Sequence, residues 1–138
     1  MLTFVTAPSL RVCVDVGDMT RAIAFYTGAF GLRVGRRLRD DWVELLGAPC
    51  PIDLLNKAPG SKPCEGQVRD YRRHWSPIHL DFATPDVAGA VARAVTLGAT
   101  LEGAIRVEPY GKIANLADPF GHGFCLIQFS THGYDAIL

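Results

Sequence analysis

The sequence predicts an α+β fold made of two copies of one strand–helix–strand–strand–strand module. An alternating strand and an acidic helix start occur at residues 11–26, RVCVDVGDMTRAIAFY, and again about 68 residues later at 79–94, HLDFATPDVAGAVARA. In each copy the helix carries apolar residues three and four apart and is followed by a glycine, Gly31 or Gly98. Three further strand-like segments follow each helix. Such a repeat indicates two related units that enclose a common space.

The first module is predicted over about residues 9–56. Its first strand alternates, so that valines lie on one face and Arg11, Cys13 and Asp15 lie on the other. A single apolar stripe predicts the helix, and short apolar segments bounded by turn residues predict the strands after it. The expected elements are the strand at 10–16, the helix at 18–30 and strands at about 32–38, 41–47 and 51–56.

A connector at 57–75 separates the modules, because KAPGSKPCEGQVRDYRRHW contains proline and glycine but no apolar period. The second module is predicted over about 76–130. Its helix is expected at 85–97 with Thr84 as N-cap, and its strands at about 77–83, 100–107, 112–117 and 123–129. We expect residues 1–138 to form a single domain.

The composition argues against several classes of partner. Fourteen basic residues balance fourteen acidic ones, so no overall field attracts nucleic acid or an anionic membrane. No apolar run approaches the roughly 20 residues that span a bilayer, and MLTFVTAPSL lacks the features of a secretory signal. The four cysteines show no C-x-x-C spacing. We therefore expect reduced thiols in a cytoplasmic protein, without nucleic-acid or membrane partners.

The polar faces of the two first strands predict a small-molecule pocket. If each helix covers the apolar face of its strand, Arg11, Cys13 and Asp15 line the enclosed space together with His79 and Asp81. Polar side chains are unusual in a plain core, because a buried polar group costs free energy unless it is paired. This asymmetry favours a ligand cavity over a filled interior.

Three segments resemble the vicinal-oxygen-chelate superfamily, which includes glyoxalase I, bleomycin-resistance proteins, extradiol dioxygenases and fosfomycin-resistance enzymes. They are DMTRAIAFY at 18–26, IHLDFATPDVAGAVARAVTLGA at 78–99 and ADPFGHGFCLIQF at 117–129. The resemblance implies paired βαβββ modules in a cupped mixed sheet, often completed by a second subunit. It therefore also implies a homodimer, in which sheet edges are protected.

The resemblance places the superfamily's metal-ligand positions at Arg11, His79, Cys125 and Asp53. A guanidinium is always protonated and has no lone pair, so Arg11 cannot ligate a cation. We expect Arg11 to pair with Asp53 or Asp15 in place of the ion, and hence no metal cofactor. If a divalent metal such as Zn, Fe, Mn or Ni is bound, the expected ligands are Asp53, His79 and Cys125.

Three functions remain open from the sequence. The first is binding of a small organic ligand without a metal, with Arg11 contacting an anionic or carbonyl group and His79 and Asp81 donating or accepting hydrogen bonds. The second is an enzyme, either a metal-dependent lyase, isomerase or dioxygenase, or a metal-free acid/base catalyst at His79 and Asp81. The third is a non-catalytic dimeric scaffold. The predicted ligand-binding residues are Arg11, Cys13, Asp15, Trp42, Asp53, His79 and Cys125.

Two further segments allow more than one interpretation. The turn DPFGHG contains His122 and is predicted to be structural, since its proline and glycines suit a tight turn. The basic and aromatic end of the connector, from Arg69 to Trp75, is either a solvated loop or a lid that recognises an anionic or aromatic ligand.

Overall fold

The computed structural model describes residues 5–138, so the first four residues of the predicted domain and of the segment MLTFVTAPSL lie outside it. The element order is strand–helix–strand–strand–strand, twice, as the repeat predicts. The first module comprises β1 (Val12–Val16), α1 (Met19–Phe30), β2 (Arg33–Arg39), β3 (Trp42–Leu46) and β4 (Ile52–Asn56). The second comprises β5 (Leu80–Ala83), α2 (Val87–Thr96), β6 (Thr100–Glu108), β7 (Gly111–Ala117) and β8 (Gly123–Phe129). A short 3-10 helix, Gly133–Ile137, follows.

Each module forms a four-stranded mixed sheet. The strand orders are β1-β4-β3-β2 and β5-β8-β7-β6, with the first and last strands of each module parallel and the other pairs antiparallel. The parallel register sets Cys13 beside Asp53 in the first sheet and Asp81 beside Cys125 in the second. The α+β class and the βαβββ repeat are therefore confirmed. Each first strand lies at an edge of its own sheet.

The helix starts follow capping chemistry, with one correction. Asp18 caps α1 by accepting the N–H of Arg21 at 3.0 Å. The prediction of Thr84 as N-cap of α2 is wrong, because the N–H of Thr84 still donates to Ile127 of the sheet at 2.8 Å. Asp86 caps the helix instead. Neither helix, nor any other in residues 5–138, is long and apolar enough to cross a membrane.

The two modules share one core within this chain. Helix α1 carries aromatic side chains onto the second sheet, where the rings of Phe30 and Phe82 stack with centroids 3.9 Å apart. Phe25 meets Phe124 edge to face at 6.2 Å, and its side chain is almost fully buried. Large aromatic rings contribute much of the apolar area that a small core buries. The pairing of modules is therefore intramolecular, through the helix layer.

The connector folds back onto both modules, which its basic composition alone does not indicate. All three of its arginines pair with carboxylates, Arg69 with Asp15, Arg72 with Asp70 and Arg73 with Glu102, at 2.6–2.8 Å, although the Arg72 side chain is 89% exposed. The first of these pairs anchors the connector to β1 and the third anchors it to β6. Ion pairs thus hold the connector to both modules.

Gly121 of the DPFGHG turn permits the closest approach of the connector. Its φ of +83° lies in the left-handed region, and a Cβ there would lie 2.7 Å from the carbonyl oxygen of Tyr71. The ring of Tyr71 packs edge to face on Phe120 of the same turn, at 6.4 Å. A side chain at this position would therefore separate the connector from the second module.

Candidate functional site

A cavity of about 490 Å³ lies between the modules, where the edge strands β1 and β5 approach each other. Such a volume falls within the range of small-molecule sites in proteins. Most of its wall is apolar, and these side chains come from both modules: Val12, Val14, Leu80, Phe82 and Phe124. The enclosed space that the repeat predicts is therefore present, although it lies along a seam between two strand edges.

Polar side chains from several segments also line this cavity. Three histidines line it, His74 from the connector, His79 from the start of β5 and His122 from the DPFGHG turn. Cys13 and Asp15 of β1 line it as well. The cavity thus combines apolar walls with a few hydrogen-bonding groups, the combination that orients an organic ligand.

Asp118 holds the turn that positions His122. One carboxylate oxygen accepts the N–H groups of Phe120 and His122 at 2.8 and 3.0 Å, and the other accepts the hydroxyl of Tyr26 at 2.6 Å. Burial and the adjacent carboxylate raise the pKa of Tyr26 well above its ordinary value, so this hydroxyl stays protonated. The turn is structural, as predicted, and it also places the His122 ring in the cavity wall.

Arg11 lies in an ion-pair network on the first sheet. Its Nε and Nη2 contact both oxygens of Asp53 at 2.9 and 2.7 Å, and Nη2 also contacts Glu44 at 2.6 Å. Arg36 binds the same glutamate at 2.7 Å. The two carboxylates are only 1% and 3% exposed. The two guanidinium groups lower the pKa of Glu44 to about 2.

His79, Asp81 and Cys125 form a separate cluster on the second sheet. One ligand atom from each lies within 4.8 Å of the others, and His79 Nε2 is 3.2 Å from Asp81 Oδ1. Burial, followed by the charge of Asp81, raises the pKa of the Cys125 thiol to about 11. The cysteine is therefore a poor nucleophile without a cation beside it.

The two sheets differ in how well their side chains could bind the divalent metal ion that the superfamily often uses. On the first sheet the donors do not fit a cation, because Arg11 and Arg36 already occupy the carboxylates. On the second sheet imidazole, carboxylate and thiol are a donor set that suits zinc. The ligand set predicted from the sequence, Asp53, His79 and Cys125, is corrected in one residue. The carboxylate that lies close to His79 and Cys125 is that of Asp81. Asp53 belongs to the other sheet, where it binds Arg11.

The residues predicted to bind a ligand are divided among three places. Cys13, Asp15 and His79 line the cavity, whereas Arg11 and Asp53 form the first-sheet network and Cys125 lies in the second-sheet cluster. Trp42, predicted as a cavity wall, lies on β3 and does not line this cavity. Its buried indole N–H has no hydrogen-bond partner among residues 5–138.

Sequence reasoning gave no cavity role to three polar residues of the wall, Tyr26, Ser76 and His122, and included His74 only in a possible lid. Tyr26 belongs to the apolar stripe of α1 and is indistinguishable there from a core residue. His74 lies in a connector without periodicity. The only available signal was at His122, whose position directly before a final strand brings it close to the strand ends.

The chain is similar to a known protein family and to solved structures. Residues 11–127 match the family described as the glyoxalase-like domain. The protein is similar to the fosfomycin resistance protein FosX of Listeria monocytogenes, with 18% identity, a TM-score of 0.71 and coverage of 97% of this chain and 100% of that one. It is also similar to TnmS3, an antibiotic-binding protein from Streptomyces sp. CB03234, with 23% identity, a TM-score of 0.63 and coverage of 93% and 100%. At these identities the likeness establishes the fold.

Two curated proteins are similar in sequence. The anthracycline biosynthesis protein DnrV of Streptomyces peucetius is 38% identical over 93 residues, which are 67% of this chain and 32% of that protein. The anthracycline biosynthesis protein DauV of Streptomyces sp. (strain C5) is 30% identical over 115 residues, 80% of this chain and 38% of that protein. The chain thus spans about a third of the length of these relatives. With most of its length matched from β1 to β8, it belongs to the glyoxalase-like family of the vicinal-oxygen-chelate superfamily.

Proposed function

We propose that this protein binds a small aromatic molecule in the cavity between its modules, without using a metal ion to do so. The cavity itself is the observation that carries this proposal, because it combines apolar side chains from both modules, two of them aromatic rings, with three imidazoles. The chemistry suits a planar polycyclic ligand with a few polar substituents. The similarity to anthracycline biosynthesis proteins and to an antibiotic-binding protein supports an anthracycline-type aromatic ligand.

The carboxylates of Asp53 and Glu44 on the first sheet bind Arg11. They support a role for Arg11 in stability and not the ligand contact expected from the sequence. Its guanidinium makes three contacts to buried carboxylates, which leave little capacity for an anionic or carbonyl group. Recognition in this proposal therefore rests on the cavity wall. The Asp15 carboxylate of that wall is itself paired with Arg69 at 2.7 Å, so the cavity has little net charge to attract an ion.

The test is a binding titration with an anthracycline aglycone, in which quenching of the aglycone's visible fluorescence reports binding. Wild type is expected to bind with a dissociation constant in the micromolar range or tighter, as is usual for a site of this size. Cys13→Phe enlarges a side chain of the cavity lining and should weaken binding at least tenfold. Cys64→Phe is the matched control, because Cys64 is an exposed cysteine of the connector that does not line the cavity.

The two cysteine variants decide between cavity binding and adventitious surface binding. Equal loss of binding in both variants, or no loss in either, would contradict a site between the modules. A wild type that does not bind the aglycone would contradict the proposed ligand class. Thermal melts of both variants should accompany the titration, so that loss of binding is separated from loss of fold.

A metal-dependent reaction is the second candidate, and the second-sheet cluster favours it. His79, Asp81 and Cys125 present three donor atoms close together, and a bound zinc ion would supply a Lewis acid beside the cavity. Metal-free acid/base chemistry at His79, with Asp81 as its orienting partner, is the other enzymatic possibility. Calorimetric titration with zinc distinguishes the metal site. Binding abolished by Cys125→Ala but retained in Cys50→Ala would favour the metal-dependent candidate over the first.

We also propose that the protein is a homodimer. The strands β2 and β6 each end one sheet, and their outer sides have no neighbouring strand in residues 5–138. Such edges favour pairing with a second copy, which covers their unpaired backbone groups. The exposed Val107 of β6 supports a contact on this side, with 79% of its surface accessible. Light scattering should give twice the 15.0 kDa chain mass, and a monomer at micromolar concentration would contradict the proposal.

A further inference from the structure

Three of the four histidines line the cavity, and each has one ring nitrogen bound to a group that can only accept a hydrogen bond. His122 Nε2 lies 2.7 Å from the carbonyl oxygen of Asp15. His74 Nδ1 lies 3.0 Å from the carbonyl oxygen of Arg72. The third, on β5, contacts a side-chain carboxylate oxygen at 3.2 Å. In all three rings the contacting nitrogen must therefore carry the proton.

The tautomers follow from these contacts. A neutral imidazole has one N–H donor and one bare nitrogen that accepts. When a carbonyl or carboxylate fixes the proton on one nitrogen, the other is left as an acceptor. The acceptor nitrogens are Nδ1 of His122, Nε2 of His74 and Nδ1 of His79, and none of them has a hydrogen-bond partner within residues 5–138. The three residues that carry these acceptors line the cavity and come from three different segments of the chain.

The carboxylate of the cavity lining indicates that the matching donor is neutral. Asp15 lines the cavity and is already neutralised by the Arg69 guanidinium at 2.7 Å, so it is not left to balance a positively charged ligand. A cationic amine would also donate hydrogen bonds, but it would lose its hydration without gaining a counter-ion. The remaining wall is apolar and aromatic, with Phe82 and Phe124 among its side chains. A hydroxyl on an aromatic ring is a neutral hydrogen-bond donor, and its ring suits the apolar wall.

We propose that the cavity selects aromatic ligands by their phenolic hydroxyl groups, which donate hydrogen bonds to the bare nitrogens of His74, His79 and His122. This inference rests on the proposed function, since it concerns the same cavity, and it adds the chemical feature by which the ligand is chosen. A methyl ether at the same position keeps the ring and the oxygen but has no proton to donate. Such an ether is therefore the decisive competitor.

The experiment is displacement of the bound anthracycline aglycone at pH 7.5 by 2,7-dihydroxynaphthalene, 2,7-dimethoxynaphthalene and naphthalene. The dihydroxy compound should displace it at a concentration at least about tenfold lower than the dimethoxy compound, as expected for one or two buried hydrogen bonds. Equal displacement by both, or displacement by neither, would overturn this inference and leave the proposed function standing. If the aglycone does not bind, the proposed function fails first, and the inference fails with it.

Replacing the imidazoles tests the acceptors directly. His79→Phe keeps a planar ring, and because the His79 side chain is half-exposed we expect the variant to fold. We expect it to reduce the preference for the dihydroxy over the dimethoxy compound, and His122→Phe to do the same. His132→Phe is the matched control, since the fourth histidine lies near the C-terminus outside the cavity. An unchanged preference in both cavity variants, with folded protein in the thermal melt, would contradict the assignment.

Discussion

Arg11 and Asp53 form a two-point ion pair in which the guanidinium Nε and Nη2 face the two carboxylate oxygens at 2.9 and 2.7 Å. The residues are distant in sequence and meet because β1 pairs with β4 in parallel register. The carboxylate is almost completely buried, whereas the guanidinium is partly exposed. The pair therefore occupies the position at which the superfamily resemblance implies a metal ligand, and the positive charge of the arginine neutralises the buried acid.

Removal of the Arg11 guanidinium, which pairs with a buried carboxylate, should destabilise the protein more than removal of an exposed guanidinium. Arg11→Met leaves Asp53 buried without a partner and is expected to lower the melting temperature by about 5 °C or more. Arg72→Met is the control, since Arg72 is 89% exposed and pairs with Asp70 on the surface. Its melting temperature should change by about 1 °C or less. The measurement is a thermal melt followed by circular dichroism.

The double variant Arg11→Met/Asp53→Leu provides the complementary result. Replacing both members of a buried pair with apolar side chains restores part of the stability, because no uncompensated charge remains. We expect its melting temperature to lie above that of Arg11→Met. A double variant that is less stable than the single one would show that the carboxylate has another partner as important as Arg11.

Glu44 should make stability depend on pH in the acid range. Its folded-state pKa of about 2 is below the ordinary 4.5, so the folded protein binds the proton less readily than the unfolded chain. The stabilisation is therefore complete above about pH 5 and is lost as the pH falls from there towards 2. In urea titrations at pH 5 and pH 3, Glu44→Gln should lose less stability than wild type between the two values.

Asp70 supplies the matched control for the acid transition. Its pKa is also lowered to about 2, by Arg72, but the pair lies on the surface and is screened by solvent. Asp70→Asn should therefore retain nearly the whole pH dependence of wild type. Equal effects of Glu44→Gln and Asp70→Asn would contradict a special contribution from the buried network.

Gly121 is predicted to be intolerant of a side chain. Gly121→Ala imposes a left-handed φ on alanine and brings its Cβ within 2.7 Å of the Tyr71 carbonyl oxygen, so we expect a loss of roughly 3 kcal/mol in the free energy of unfolding. Gly60→Ala has nearly the same φ, +78°, but open space around the Cβ. It should cost about 1 kcal/mol from backbone strain alone. Equal losses in urea denaturation would show that connector contact is unimportant.

The four cysteines, Cys13, Cys50, Cys64 and Cys125, are unpaired in the structure. A thiol reagent should count four free thiols after denaturation, and a count of two would contradict the prediction. In the folded protein Cys64 should react fastest because it is exposed and lies in the connector. Cys125 should react slowest, since burial and Asp81 raise its pKa to about 11, and Cys125→Ser should remove the slow phase.

Local patterns predicted the elements because they depend on neighbours in sequence. Alternation and apolar stripes located the first strand and helix of each module, and the repeat gave their order, but the first strand of the second module begins at Leu80 and not at 77 as predicted. The start of α2 was placed too early, since a threonine and an aspartate both offer a capping oxygen. The choice of Asp86 depended on how far β5 continues its pairing with β8, which is a property of the sheet.

The sequence by itself determined the α+β repeat, the family and the incompatibility of Arg11 with a metal ion, since each of these follows from residue type and order. Only the tertiary structure decided that the predicted site residues lie in three places. Two sheets that meet through their helices keep Asp53 apart from Cys125, although both occupy equivalent strands. The same packing brings His74, His79 and His122 to one cavity from a connector, a strand and a turn. Contacts between such distant segments depend on tertiary packing, which local sequence patterns do not predict.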